Sequence, residues 1–270
     1  DIGSKNIGYE SKLLTDYDIR NLKSLDDSFE WIPTEDVLLK IRKIKTEEEI
    51  DDIRQAAYIA DKSFESLIKM IKVGMTERDV MSELEYFMRK NGNECSAFGM
   101  IVASGKRSSL PHGAATNKVI QEGDLVTIDF GAMYNGYMSD MTRTLWIGQP
   151  EKRMIEIFDI VEESMNAAFT AIEIGKKCMD IDKAHRDVFI KYDVGKYSLR
   201  GLGHGVGLQI HELPRIVMHN EEVLEENMVF TIEPGVYIPN LGGVRTEDTV
   251  VLRKSGLEIL TKTPKKIIIE

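Results

Sequence analysis

Five side chains in this sequence could together hold a pair of metal ions: Asp129, Asp140, His204, Glu233 and Glu247. Asp129 stands in Ile128-Asp129-Phe130 and Glu233 in Ile232-Glu233-Pro234, so both acids end apolar, strand-like runs. An ionised carboxylate in such surroundings carries a large desolvation cost unless a counter-charge stands beside it. Arginine can supply that charge, and Arg143 and Arg245 lie near two of the acids in sequence. A metal can supply it too. His204 lies in Gly203-His204-Gly205-Val206-Gly207, where the absence of neighbouring side chains lets an imidazole approach a crowded site. Four carboxylates and one imidazole suit two divalent first-row metals that share ligands. Mn²⁺ or Co²⁺ fits this set, Zn²⁺ is also compatible, and Mg²⁺ usually does without histidine. Two such ions lower the pKa of a water between them and polarise a carbonyl, which is the chemistry of hydrolysis. That chemistry also needs proton carriers and a donor to the developing oxyanion. His112, in Leu110-Pro111-His112-Gly113, and His211, seven residues past His204, are the available imidazoles. His185 and His219 sit in polar contexts and receive no role.

The acids fall into an internal echo. Leu125-Val126-Thr127-Ile128-Asp129-Phe130-Gly131 resembles Val229-Phe230-Thr231-Ile232-Glu233-Pro234-Gly235. In each copy a β-rich run ends in a carboxylate and a glycine, and a second carboxylate follows: Asp140 eleven residues on, Glu247 fourteen. This predicts a duplicated α+β unit whose halves face each other across a pseudo-twofold axis.

The elements that position these acids are legible by period. Thr46 and Glu49 form a capping box, and Ile50, Ile53, Ala57, Ala60, Phe64, Leu67 and Ile71 then recur at helical spacing up to Val73-Gly74. Thr76 and Asp79 open a second helix that Asn91-Gly92 closes. Further helices are predicted over 153–174 and 179–192, and strands over 98–102, 125–130 and 142–147, with a strand-rich remainder. Residues 1–45 read as short, polar and irregular, unable to bury a core alone.

Composition narrows the class. With 270 residues, 42% hydrophobic, the chain can bury a sizeable core. Its 35 basic and 45 acidic residues leave a net charge of −10 without a basic run, which argues against nucleic-acid or anionic-membrane partners. No stretch of about 18 apolar residues is present to span a bilayer. The two cysteines, Cys95 and Cys178, lack zinc or redox spacing, as expected of a reducing compartment such as the cytoplasm.

Taken together, Pro111-His112-Gly113, Asp124 to Gly131, Gly136 to Thr144, Gly203 to Gly207 with His211-Glu212, Thr231 to Gly235 and Gly243 to Thr249 resemble the pita-bread metallopeptidases, in the prolidase and Xaa-Pro aminopeptidase branch. The resemblance implies an α+β pita-bread (creatinase/aminopeptidase) fold, with pseudo-twofold halves around a curved antiparallel sheet. It implies a catalytic domain over 46–270 and, over 1–45, the end of a small N-terminal domain plus linker. It implies two metals, with Asp129 a ligand of one, His204 and Glu233 of the other, and Asp140 and Glu247 shared. Glu233 would carry protons, His112 and His211 would contact the scissile amide, and Arg245 would lie on the proline side of the substrate. Pairing of Arg245 with the metal-site acids is the alternative. The implied substrate is a peptide with proline second, and the implied assembly of the full-length protein is a homodimer. Where many relatives carry a histidine four residues before the metal histidine, this chain has Arg200. That arginine could bind a substrate carboxylate or turn outward. Methionine aminopeptidase shares the fold and ligands, but the Leu110-Pro111-His112 context and residues 1–45 argue against it. The full ligand set argues against a creatinase-type amidinohydrolase or a non-catalytic binding module of the same fold.

Overall fold

A computed structural model describes residues 5–270, which fall into two compact units, one ending at Arg42 and the other spanning Lys43–Glu270. The first is more regular than its sequence suggests. Strands Asn6–Glu10 and Glu30–Thr34 pair in parallel through the helix Asp16–Leu25, and a short helix, Val37–Arg42, follows. The expectation of an irregular segment therefore fails. Thr15 and Asp18 form a capping box that starts the helix, a signal carried by polar residues where apolar periodicity is weak.

In the second unit the echo becomes architecture. The first half places helices Glu47–Leu67 and Glu77–Lys90 against a sheet built from Ile101–Ser104, Leu125–Phe130, Met141–Ile147 and Ile267–Ile269. The second places helices Lys152–Ala171 and Cys178–Lys191 against Glu212–Ile216, Gly203–Gly205, Val229–Ile232, Asp248–Arg253 and Gly256–Ile259. Each half has an antiparallel central pair, Leu125–Phe130 with Met141–Ile147 and Val229–Ile232 with Asp248–Arg253. Each pair encloses a small hairpin, Met133–Tyr134 with Tyr137–Met138 in one and Gly235–Ile238 with Gly242–Arg245 in the other. Asn135 and Gly136, both at positive φ, make the two-residue turn of the shorter hairpin. The sheets are antiparallel except that Ile267–Ile269 runs parallel to Leu145–Ile147.

Helices and sheets meet through separate apolar cores. Phe64, Leu67 and Leu84 pack on Ile128, Phe130 and Met141, with the Phe64 and Phe130 rings stacked at 5.3 Å. Met165, Ala168 and Ile181 pack on Phe230, Ile232 and Val250. The predicted capping box on Thr46 with Glu49 forms, and Thr76 with Asp79, read as a helix start, forms a second. The first helix stops at Leu67 rather than near Ile71, although Ile71 stays in the core as the chain turns out of the helix. The predicted strand at 98–102 forms as Ile101–Ser104. Among the described residues no helix is long and apolar enough to cross a membrane, and both cysteines are free thiols.

Candidate metal centre

Period-two alternation aims the first acid of each half. Ile128 and Phe130 enter the helix-side core, so Asp129 between them faces the other way. Phe230 and Ile232 do the same in the second half and leave Thr231 and Glu233 facing away from the core. Asp140 and Glu247 sit one residue before the returning strands Met141–Ile147 and Asp248–Arg253. His204 is the middle residue of Gly203–Gly205, and the glycines beside it are required by close packing. A Cβ at Gly203 would lie 1.9 Å from Thr231 O, and one at Gly205 would lie 2.0 Å from Leu213 O.

All five residues, with His112, His211 and Arg245, line one cavity of about 250 Å³, whose apolar wall includes Phe98, Leu199 and Ile210. The ligand atoms of Asp140, His204 and Glu247 lie within 4.8 Å of one another. His204 Nε2 stands 3.6 Å from Asp140 Oδ2 and 3.3 Å from Glu233 Oε1, which brings Glu233 to the same group. Asp129 is turned toward Arg245, whose Nη2 donates to Asp129 Oδ2. The same guanidinium donates to Thr142 Oγ1 at 3.0 Å, Tyr237 Oη at 2.8 Å and Pro111 O at 3.0 Å. Arg143 takes another acid, Asp248 at 2.7 Å, and also donates to the carbonyl oxygen of Glu247. Arginine thus pairs directly with one of the four cavity carboxylates.

Two observations test whether this donor set fits divalent cations. His204 Nδ1 is 3.1 Å from Gly205 O, and a carbonyl can only accept. A donor at Nδ1 accounts for that contact, and Nε2, which faces Asp140 and Glu233, is then the atom placed to ligate, with the outer hydrogen bond typical of a ligating histidine. Asp129 Oδ1 and Asp140 Oδ1 are buried without a hydrogen-bond partner. Buried polar atoms ordinarily find one, and a bound cation would supply it. The set fits.

Electrostatics point the same way. Burial, then the neighbouring Glu247, Asp129 and Glu233, push the Asp140 carboxyl well above the usual range. Burial, then Glu233 and Asp129, do the same to Glu247. Asp129 is raised by burial against the opposing pull of Arg245. Burial also pushes Glu233 upward, but His204 and Arg245 outweigh it and hold that carboxyl below its ordinary value. His211 is lowered by burial and then by His204 and Arg215, and its ring meets that of His204 edge-on at 4.3 Å.

The sequence profile of metallopeptidase family M24 matches residues 51–254. The chain belongs to that family. Among its relatives, the Xaa-Pro dipeptidase of Pyrococcus furiosus is 47% identical over 93% of this M24 chain and 72% of its own length. The Xaa-Pro dipeptidase of Pyrococcus horikoshii is 45% identical over 98% of this chain and 76% of its own. Among solved structures, an Xaa-Pro dipeptidase from Bacillus anthracis superposes with a TM-score of 0.95 at 44% identity, covering 98% of this chain and 75% of that one. An X-Pro aminopeptidase from Thermotoga maritima gives 0.94 at 39% identity, covering 98% and 76%. The expected α+β pita-bread fold is that of this M24 chain.

Within the M24 site the structure bears on two arginines whose alternatives the sequence left open, and other residues went unread. Arg245 lies on the cavity wall, yet its donors are taken by Asp129, Thr142, Tyr237 and Pro111. Arg200 is absent from the cavity lining. It lines a separate basic depression with Arg186, Lys196 and His219, while its neighbour Leu199 enters the cavity. Thr142 and Thr249 were not singled out by sequence. Thr142 Oγ1 donates to Glu247 Oε2, and Thr249 Oγ1 donates to Asp140 O at 2.8 Å while accepting from Asp140 N at 3.2 Å. The signal was available, because each threonine stands two residues after the second acid of its copy. Tyr237 and the apolar wall carried no comparable mark.

Proposed function

We propose that this chain hydrolyses the peptide bond before proline, releasing the N-terminal residue from Xaa-Pro dipeptides or longer Xaa-Pro peptides, as a prolidase-like enzyme using two divalent metals. The observation that carries the reading is the convergence of four carboxylates and His204, its Nδ1 against the Gly205 carbonyl and its Nε2 toward Asp140 and Glu233, on one cavity with buried, unpartnered acceptors. The identity to two proteins named Xaa-Pro dipeptidase supports the proline specificity. The cavity, about 250 Å³, is smaller than the roughly 300–1,000 Å³ usual for drug-sized ligands, which favours dipeptides.

Asp129, Asp140, His204, Glu233 and Glu247 would hold the metals, with Asp140 and Glu247 shared. Mn²⁺ or Co²⁺ suits this set best and Zn²⁺ is compatible. Bound there, such ions supply a nucleophilic water at neutral pH and polarise the scissile carbonyl. Glu233 is the place for a proton to be taken up and returned. Its side chain is 26% exposed, against 12% for Asp129 and 6% for Asp140. His112 and His211 line the open part of the cavity, where their ring N–H groups can hold the substrate amide and the oxyanion that develops from it. Arg245 orients Asp129 and forms the wall against which the proline side of the substrate would rest. The acting form would be a cytoplasmic homodimer of the full-length protein.

The test is turnover by Mn²⁺- or Co²⁺-loaded protein of Ala-Pro, Ala-Pro-Ala, Ala-Ala and Met-Ala. Cleavage of Ala-Pro in preference to Ala-Ala is expected. Absence of any turnover together with absence of bound metal would sink the enzyme reading, and turnover of Met-Ala alone would overturn the proline assignment. Asp140→Ala should abolish activity.

A further inference from the structure

Next to the cavity lies a buried ion pair that the reaction does not use. Lys45 Nζ is 3.3 Å from Glu212 Oε2, and each side chain is 1% exposed. Two charges so fully removed from water carry a desolvation cost that their attraction does not reliably repay. Glu212 directly follows His211 and opens the strand Glu212–Ile216.

The second oxygen of Glu212 shows what the pair holds. Glu212 Oε1 accepts from Gln209 N at 2.9 Å, so the carboxylate closes the turn that carries Ile210 and His211. The turn is fastened at its other end as well: Gly207 N donates to Gln209 O at 3.1 Å, and Met138 N donates to Gly207 O at 2.8 Å. Gly207 faces the same carboxylate, since a Cβ there would lie 3.0 Å from Glu212 Oε2. Lys45 is itself fixed, its N donating to Asn227 O at 3.0 Å, one residue before the capping box of the helix Glu47–Leu67. One oxygen of Glu212 thus meets a fixed cation and the other meets the turn. His211, although exposed, is the next residue, with its ring 4.3 Å from that of His204.

We propose that Lys45 and Glu212 are positioning residues for His211: the buried pair holds the 207–212 turn so that the imidazole stays over His204 at the cavity wall. The inference rests on the role given above to His211 in substrate binding, but the placement of the ring is measurable without turnover. A mobile His211 would have to be ordered at each encounter with substrate, so its preorganisation belongs in kcat/KM.

The experiment compares wild type, H211A, K45M, the doubly neutral K45M/E212Q, and K45M/E212Q/H211A. K45M takes the lysine charge away from the buried Glu212 and can unfold for that reason alone. The double variant removes both charges, and its amide oxygen can still accept from Gln209 N. Three readouts are needed: Mn²⁺ stoichiometry by titration calorimetry, His ring signals by NMR with H211A giving the assignment, and kcat/KM for Ala-Pro. The expected result for K45M/E212Q is a folded protein with wild-type Mn²⁺ stoichiometry and His211 ring signals moved toward those of a solvated histidine. Its kcat/KM should fall about tenfold or more, and adding H211A should lower it by less than H211A lowers wild type. His211 signals unchanged in K45M/E212Q overturn the inference. So does a loss that adds in full to that of H211A, or a doubly neutral chain that does not fold, because the pair would then serve the fold and not the imidazole. If H211A itself keeps wild-type kcat/KM, the catalytic reading of His211 fails, and the NMR signals alone still decide whether the pair positions the ring.

Discussion

Thr142 and Glu247 are joined twice: Glu247 N donates to Thr142 O at 3.1 Å, and Thr142 Oγ1 donates to Glu247 Oε2 at 2.6 Å. The pseudo-symmetric partners, Thr249 and Asp140, are also joined twice. Each acid expected to be shared between two metals is therefore held by the threonine of the opposite half. Removing the hydroxyl in Thr142→Val frees one Glu247 oxygen and one Arg245 donor. Loss of such an outer hydrogen bond typically weakens metal binding about 10–100-fold. Calorimetric titration with Mn²⁺ measures it, and an affinity within twofold of wild type would count against the positioning of Glu247 by Thr142.

Metal should stabilise this fold more at high pH than at low. Burial and mutual repulsion raise Asp140 and Glu247 well above the usual carboxylate range. A carboxylate raised on folding contributes stability fully present below its unfolded pKa, about 3.9–4.3, and lost as pH rises through the folded value. The chelated protein then carries these charges uncompensated. Mn²⁺ at a hundred times its Kd at pH 8 adds about 2.7 kcal/mol there, and at that same concentration the gain in Tm is expected to be larger at pH 8 than at pH 5. Scanning calorimetry with and without metal checks this. Equal gains at both pH values would contradict it.

His185 supplies a different pH dependence, away from the metal site. Its ring sits between Ser164 and Phe189, and burial, then Arg186, push it down to about 3. Unfolded, it titrates near its ordinary value of about 6.5. As pH falls from about 6.5 toward 3, the unfolded chain takes up a proton that the folded one does not, and stability falls by up to about 1.4 kcal/mol per unit. His185→Phe removes this contribution. Between pH 7 and pH 5 its stability relative to wild type, from urea midpoints, should rise by about 2 kcal/mol; no relative change would mean that the buried ring protonates normally.

Arg200 should prove dispensable for turnover. It lines the outer basic depression while Leu199 faces the cavity. Arg200→Ala is expected to leave kcat/KM for Ala-Pro within about twofold, whereas Leu199→Ala should raise KM by opening the apolar wall. A large loss in Arg200→Ala would revive its role as a carboxylate anchor.

What the sequence disclosed follows from where the physics is local. Capping boxes, apolar period and the repeated acid-glycine ends were written in adjacent residues, so the helices, the central strands and the five acidic and histidine residues that meet in the cavity could be read directly. The parallel strand pair at the N-terminus could not, because Asn6–Glu10 and Glu30–Thr34 acquire meaning only by pairing across a polar helix. The same holds for Lys45 with Glu212, which meet across 167 positions. Arg200 and Leu199 line different cavities, and a single arginine carries no sign of which way it points.

The division of the proposed ligands between halves has a consequence for how the site is made. Asp129 and Asp140 precede Ile147, while His204, Glu233 and Glu247 follow Lys152. A chain nicked in the loop between those two points would leave neither fragment with a whole ligand set. The strand Ile267–Ile269, which belongs to the later fragment but pairs with Leu145–Ile147 of the earlier one, would be the latch that re-seats them. Metal uptake by the rejoined pieces would then serve as a gauge of assembly, switching on only when two incomplete halves have found their register.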